Sequence, residues 1–284
     1  MKMQNKNIEI IKMTGEKAMF DSSKLKHSLE RSGATDVVIQ KVVNEVVASL
    51  YNGITTKEIY KKAFGLLRKT SPPSTAARYK LKNAIMELGP TGFPFEKFVG
   101  AILSYEGFQT QVGVIVKGHC VNHEVDVIAK KDNQHFMVEC KFHSDAGRFC
   151  NVKIPLYIQS RFKDVEAVWE KQPSHENRFH QGWVVTNTRF SSDAIQYGKC
   201  VGLYLLSWDY PYNGSLKERI DQSGLHPITS LTTLTKNEKQ QLLDKDIVLC
   251  MDLCNQPKLL KSVGISEKRQ KKVLQEAHEL CNKN

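Results

Sequence analysis

No run of apolar residues in this chain approaches the roughly 18 that a bilayer-crossing helix needs, which excludes a membrane span. The first residues, Met1-Lys2-Met3-Gln4-Asn5-Lys6, lack the apolar stretch of a secretory signal, so export is not expected. A disulfide framework is missing too. Seven cysteines is an odd count at irregular spacings, which fits reduced thiols in the cytoplasm. Cys250-x-x-x-Cys254 and His119-Cys120-x-x-His123 each lack a matching second pair, so structural zinc is not expected. There is no GxxxxGK[ST], hence no P-loop and no expectation of ATP hydrolysis.

An acidic balance is absent as well. The net charge is +11, and it is unevenly placed. Residues 1–90 hold 16 Lys and Arg against 8 Asp and Glu, residues 91–215 hold 13 against 13, and residues 216–284 hold 12 against 9. A basic chain favours polyanions. The neutral middle must therefore rely on its flanks to attract phosphate. A hydrophobic content of 40% over 284 residues supports ordinary cores in about two or three domains.

The middle holds the most informative pattern. Two β-like runs, His123-Glu124-Val125-Asp126-Val127-Ile128-Ala129 and Phe136-Met137-Val138-Glu139-Cys140-Lys141-Phe142, flank a polar turn. Each carries an acid where a buried strand should be apolar. Asp126 and Glu139 on neighbouring strands would converge, and two such carboxylates are costly unless something compensates. Mg²⁺ would compensate, because it takes hard oxygen ligands from one or two carboxylates and completes its shell with water and phosphate. Lys141 shares a strand face with Glu139, placed to steer or deprotonate a water aimed at a phosphodiester. Taken alone, the same residues also fit an Asp126 that caps a strand and a Glu139–Lys141 pair on an exposed face.

The surrounding residues favour the first reading. Phe95-Glu96-Lys97-Phe98-Val99, Tyr105-Glu106-Gly107-Phe108, the Asp126…Glu139-Cys140-Lys141 pattern and Trp183-Val184-Val185-Thr186 resemble a Mrr-type restriction endonuclease domain over residues 93–208. That family is a branch of the PD-(D/E)xK nucleases. The resemblance implies an α/β fold, a mixed sheet flanked by helices, and Mg²⁺-dependent hydrolysis of DNA. It implies that Asp126, Glu139 and the Cys140 carbonyl hold the metal and that Lys141 orients the water. Glu96 falls where many members place a helix glutamate facing the metal. Gln159 falls where related nucleases have a supporting glutamine.

Ahead of this, Ile8–Lys12 and Lys17–Phe20 read as short strands around a Thr14-Gly15-Glu16 turn. Helical patterns follow at 24–31, 38–50, from Thr55 or Thr56, and over about 74–88, closing on Gly89-Pro90-Thr91-Gly92. Ile11-Lys12-Met13-Thr14-Gly15, Phe20 to Leu25, Gly53 to Ile59 and Ala76-Ala77-Arg78-Tyr79 resemble an ATP-cone, a β-hairpin on a small helical bundle. That resemblance implies binding of ATP or dATP as an effector, with Lys12 and Lys24 on phosphates and Thr56 near the nucleotide. Met13 stands where the family usually has arginine.

Beyond 212 the chain reads as mostly helical. Leu259 to Ser266 and the helix after it resemble half of a helix-hairpin-helix, with Lys268, Arg269, Lys271 and Lys272 around a DNA phosphate. A solvated basic face fits those residues equally. The expected organisation is a nucleotide-binding domain at 1–90, a nuclease domain at 91–212 and a helical segment at 213–284. The expected function is a nucleotide-regulated DNA endonuclease in restriction or defence. A non-catalytic nucleotide-sensing DNA-binding regulator and a repair or junction-resolving nuclease remain open. Double-strand cleavage by one active site per chain would favour a homo-oligomer.

Overall fold

The computed structural model describes residues 8–169 and 179–282. The chain begins with the strands β1 (Glu9–Ile11) and β2 (Lys17–Met19), which pair antiparallel. Helix α1 (Ser22–Arg31) follows, capped by Asp21, whose carboxylate accepts from the Ser23 N–H at 2.9 Å. Helix α2 (Asp36–Ala48) buries Ile39, Val42, Val43 and Val46, a stripe at helical spacing. A two-residue strand β3 (Ile54–Thr55) then joins β1 in parallel, a pairing too short for sequence periodicity to reveal. Thr55 and Glu58 form a reciprocal capping box that starts α3 (Thr56–Thr70). The single helix expected over 74–88 is two, α4 (Pro73–Tyr79) and α5 (Leu81–Met86), parted at Lys80.

Next come α6 (Phe93–Tyr105), β4 (Gln109–Lys117), β5 (Asn122–Lys131), β6 (Gln134–Lys141) and β7 (Phe149–Cys150). They are followed by α7 (Lys153–Trp169), β8 (Phe179–Thr186), β9 (Arg189–Phe190), α8 (Ser192–Val201) and β10 (Tyr204–Leu206). The main sheet has the order β10-β8-β6-β5-β4. β4, β5 and β6 form an antiparallel meander, while β6, β8 and β10 run parallel. Parallel neighbours need a crossover, and α7 and α8 supply the two required. Asp132 and Asn133, both at positive φ, make the tight β5–β6 turn. The sheet is mixed and helices cover both faces, as the sequence led one to expect. Val127, Ala129, Val138 and Val185 pack with Phe95, Phe98 and Ile102 of α6. Met137 packs with Phe162 and Val165 of α7.

The rest is helical: α9 (Leu216–Ser223), α10 (Lys236–Leu243), α11 (Cys250–Asn255), α12 (Lys258–Lys261) and α13 (Glu267–Cys281). It does not form a core of its own. Ile220, Leu231, Leu253 and Leu280 belong to the same buried cluster as Phe98 and Val138, and Ala77, Leu81, Ile85 and Leu88 join it from the N-terminal side. Polar ties follow the same path. Arg78 Nη2 donates to the Glu279 carbonyl at 2.7 Å, and Thr229 Oγ1 donates to the Ala84 carbonyl at 2.7 Å. Glu276, 1% exposed, accepts from the backbone N–H and hydroxyl of both Thr232 and Thr233, at 2.6–2.9 Å. A buried carboxylate is tolerated when its lone pairs are so filled.

Candidate active site

The β5–β6 ladder closes with Val127 opposite Val138. Beyond that pair Asp126 Oδ2 accepts from the Cys140 N–H at 2.6 Å, taking a donor that β5 backbone does not. The substitution fixes Asp126 beside the end of β6, where Glu139, Cys140 and Lys141 follow one another. Glu96, on the first turn of α6, lies close by: its Oε1 and the Cβ of Phe142, the residue after Lys141, both border Gly92, and, besides burial, Asp126 and Glu124 both raise its pKa.

Asp126 makes both Glu139 and Glu96 harder to ionise, and Glu96 adds to the effect on Glu139. Burial, then Asp126, push Glu139 up to about 7, with Arg161 opposing. Burial, then Asp126 and Glu124, push Glu96 up to about 7. Asp126 is also raised, chiefly by burial, with the Cys140 N–H and Arg161 opposing. Such clustering of partly buried carboxylates with raised pKa values marks functional sites. Among the described residues, no three His, Cys, Asp or Glu side chains are arranged to cage an ion. A cation here would rest on two carboxylates and the Cys140 carbonyl, leaving places for water and phosphate. That donor set is hard oxygen throughout and suits Mg²⁺ better than a soft metal. On α7, Gln159 Oε1 is buried without a hydrogen-bond partner among the described residues.

Lys141 is exposed, and its charge reaches Asp126. Its carbonyl accepts from Thr186 Oγ1 at 2.8 Å, tying it to β8. No hydrogen bond joins Gln159 to Lys141 among the described residues. The partner found instead is Arg161. Its Nη1 donates to Glu139 Oε2 at 2.5 Å, its Nη2 to the Glu124 carbonyl, and its Nε to His123 Nδ1 at 3.4 Å. His123 Nε2 in turn meets Asp164 Oδ2 at 2.7 Å. The His123 hydrogen bond holds the Asp164 carboxyl well below its usual range, helped by the N–H groups of Cys120 and Val121. A chain Asp164–His123–Arg161–Glu139 thus braces the site from α7. Sequence reasoning missed Arg161. Its signal was helix phase: α7 buries Pro155, Ile158, Phe162 and Val165, and Arg161 lies at the edge of that stripe, where a cation needs a partner.

Three stretches of the chain match known families. Residues 8–84 match the ATP cone domain, residues 90–208 match Restriction endonuclease (Mrr_cat), and residues 226–281 match AF1548-like, C-terminal. An uncharacterized protein of Archaeoglobus fulgidus is 36% identical over 177 residues, covering 62% of this chain and 95% of that one. The crystal structure of AF1548, a protein of unknown function, is 34% identical with a TM-score of 0.55, covering 66% of this chain and 97% of that chain. The chain belongs to the AF1548 family. It carries an ATP cone ahead of the restriction-endonuclease domain. The restriction endonuclease MspJI in complex with a 27-mer oligonucleotide, 11% identical, covers 69% of this chain and 45% of that one at a TM-score of 0.29, too slight a likeness to bear on the site.

In this AF1548-family chain no hydrogen bond or ion pair among the described residues joins the three residues expected at the nucleotide. Lys12 is paired with Glu16 at 3.0 Å, and Lys24 stands 4.0 Å from Asp21 with its side chain 82% exposed. Thr56 alone of the three lines a cavity of about 750 Å³, with Met13, Lys57 and Lys61. At the far end, Lys268, Lys271 and Lys272 are exposed on α13. Arg269 departs from the expected basic ring. Its guanidinium is held by Glu238, at 2.9 Å from Nη2 to Oε2, and by the Thr233 carbonyl at 3.0 Å. An arginine so engaged serves the packing of α13 on α10. No helix among the described residues is long and apolar enough to cross a membrane.

Proposed function

We propose that this protein is a divalent-metal-dependent DNA endonuclease, set by an adenine nucleotide, that acts in restriction of foreign DNA. The observation that carries this reading is Asp126 held beside Glu139, Cys140 and Lys141 at the end of the β5–β6 ladder, with Glu96 close by. Asp126, Glu139 and the Cys140 carbonyl would hold Mg²⁺. Bound there, Mg²⁺ supplies Lewis acidity toward a phosphoryl oxygen and a more acidic water. Lys141, exposed, would orient the attacking water and offset negative charge as the phosphodiester opens. Arg161 pairs with Glu139 and steadies it, and Glu96 and Gln159 would border the water around a bound metal.

Nucleotide is bound and not hydrolysed, since the cone offers lysines and a helix start but no P-loop. The exposed Lys268, Lys271 and Lys272 add affinity for DNA phosphates. The seven cysteines are free, which suits a reducing cytoplasm. Cleaving both strands asks for a dimer. The test is a panel of plasmid, base-modified and branched DNA with Mg²⁺ or with EDTA, for the wild-type chain, Asp126→Asn and Lys141→Ala. Cleavage that needs Mg²⁺ and both residues is the expected result. Binding without cleavage on every substrate makes the protein a regulator, and cleavage of branched DNA alone makes it a junction-resolving enzyme.

A further inference from the structure

The cavity beside Thr56 is not a feature of the cone alone. One wall is Thr56, Tyr60 and Lys61 of α3, with Met13 of the hairpin. The opposite wall is Ser144, Asp145 and Ala146, from the loop that follows β6, with Trp208 before α9 and Lys217 on it. Six cations line the space: Arg31, Lys57, Lys61, Arg78, Lys82 and Lys217, against the three carboxylates of Glu87, Asp145 and Asp221. Lys82 is itself partly buried. Burial lowers its pKa, Arg189 lowers it further, and only Asp209 opposes. A half-enclosed space of about 750 Å³ with an excess of cations and the rings of Tyr60, Tyr79 and Trp208 suits a ligand with a flat ring and several negative charges.

The far wall leads straight to the catalytic centre. The loop 142–148 begins where β6 ends at Lys141, and its residues 144–146 face the cavity. His143 is pinned at both backbone groups by Asn187. Its N–H donates to Asn187 Oδ1 at 2.8 Å, and its carbonyl accepts from Asn187 Nδ2 at 2.8 Å. Asn187 is fully buried and also reaches Met86 Sδ, at 3.1 Å, and Met86 lines the same cavity. Gly147 touches the hairpin so closely that an added Cβ would stand 3.0 Å from the Met13 carbonyl. The cavity wall and the backbone bearing Lys141 are thus one packed network, the kind of contiguous element through which two sites can bias each other.

We propose that this cavity is a composite site for a nucleoside triphosphate, in which Lys217 and the 144–146 loop of the nuclease side hold the ligand together with Lys61 of the cone. The proposal rests on the nucleotide-regulated reading and says how the regulation is read. The ligand contacts the loop that begins at the catalytic lysine, so no movement of the cone as a whole is needed. By linkage, whatever the nucleotide does to the loop, a filled catalytic centre does in return to nucleotide affinity.

The test uses the full chain, with ATP and dATP titrated calorimetrically against the wild type, Lys61→Ala, Lys217→Ala, Lys217→Arg and Asp145→Ala. Both alanine variants at lysine are expected to weaken binding about tenfold or more, the usual worth of one charge-assisted hydrogen bond. Lys217→Arg should keep most of the affinity, which rules out a folding defect. Asp145→Ala should tighten binding, because it removes a like charge, and no loss of structure would do that. Hydrogen exchange should slow across 142–148 when nucleotide is added. Binding that is lost in Lys61→Ala and unchanged in Lys217→Ala overturns the composite site and leaves a cone that binds alone. Protection confined to residues 8–88 overturns it as well. No heat from the wild type at millimolar ATP or dATP overturns both this proposal and the nucleotide-regulated reading beneath it.

Discussion

Replacing Glu96 by Gln should make the protein more stable and less active at once. In the folded chain Glu96 is pushed from 4.5 up to about 7 by burial, then by Asp126 and Glu124. A group whose folded pKa lies above its unfolded value gives stability that is fully present below pH 4.5 and is lost as pH rises through 7. Taken at face value, a shift from 4.5 to about 7 at roughly 1.4 kcal/mol per unit is about 3 kcal/mol of lost stability at pH 8. Glu96 is only half-buried, so solvent screening cuts this to about 1–2 kcal/mol. Gln carries no charge and escapes the loss. In EDTA at pH 8 the variant should therefore melt about 3–6 °C above the wild type. The gap should shrink toward pH 5.5, where the wild-type carboxyl is protonated in the fold. Mg²⁺ should close it from the other side by stabilising the wild type more than the variant. DNA cleavage should fall in the variant under every condition. Equal melting in EDTA at pH 8, or a gap that is the same at pH 5.5, would show that Glu96 does not feel its neighbours and would refute the carboxylate cluster.

Glu276→Ala removes the buried acceptor of two backbone N–H groups and two hydroxyls on partly buried Thr232 and Thr233, which should cost about 3–5 kcal/mol in urea unfolding, with Glu276→Gln costing less; a loss below about 1 kcal/mol would mean water replaces the carboxylate. His226 is lowered from 6.5 to about 4 by burial, then by Arg78, so it contributes stability above pH 6.5 that is lost as pH falls through about 4; His226→Phe should remove about 3 kcal/mol of that acid sensitivity, and unchanged acid denaturation would contradict the burial. Neutralising Lys268, Lys271 and Lys272 together should lower the salt slope of DNA binding by up to about 0.9 for each phosphate they neutralise, and an unchanged slope would return them to solvent. Arg269→Ala should instead lower the melting temperature, because its partner is Glu238.

The sheet and its two acids were legible because a strand has a period of two, and Asp126 and Glu139 interrupt apolar runs on it. The capping box at Thr55 and Glu58 was half-legible, as a helix start without its reciprocal bond. Arg161 was not legible, since a lone arginine gains meaning only when a crossover helix lays it against β6. The surroundings of the nucleotide lysines were hidden for a related reason. Lys12, just after β1, and Lys24, on α1, lie beside local carboxylates, whereas Lys61 and Lys217, 156 residues apart, come to line one cavity only through tertiary packing. Lys217 belongs to a helix for which the sequence offered no role at all.

The buried face shared by Ala77, Leu81, Ile85 and Leu88 carries a lesson about inheritance. A cone severed at its sequence boundary would carry that face bare into water, and the nuclease left behind would show the matching scar. Such a unit is not exchanged like a bead on a string. A lineage that gains or drops a cone must rewrite both sides of this seam together. Among relatives, the seam between α4–α5 and the C-terminal helices is therefore where the history of the fusion should be most plainly recorded, ahead of the nucleotide pocket and ahead of the catalytic strands.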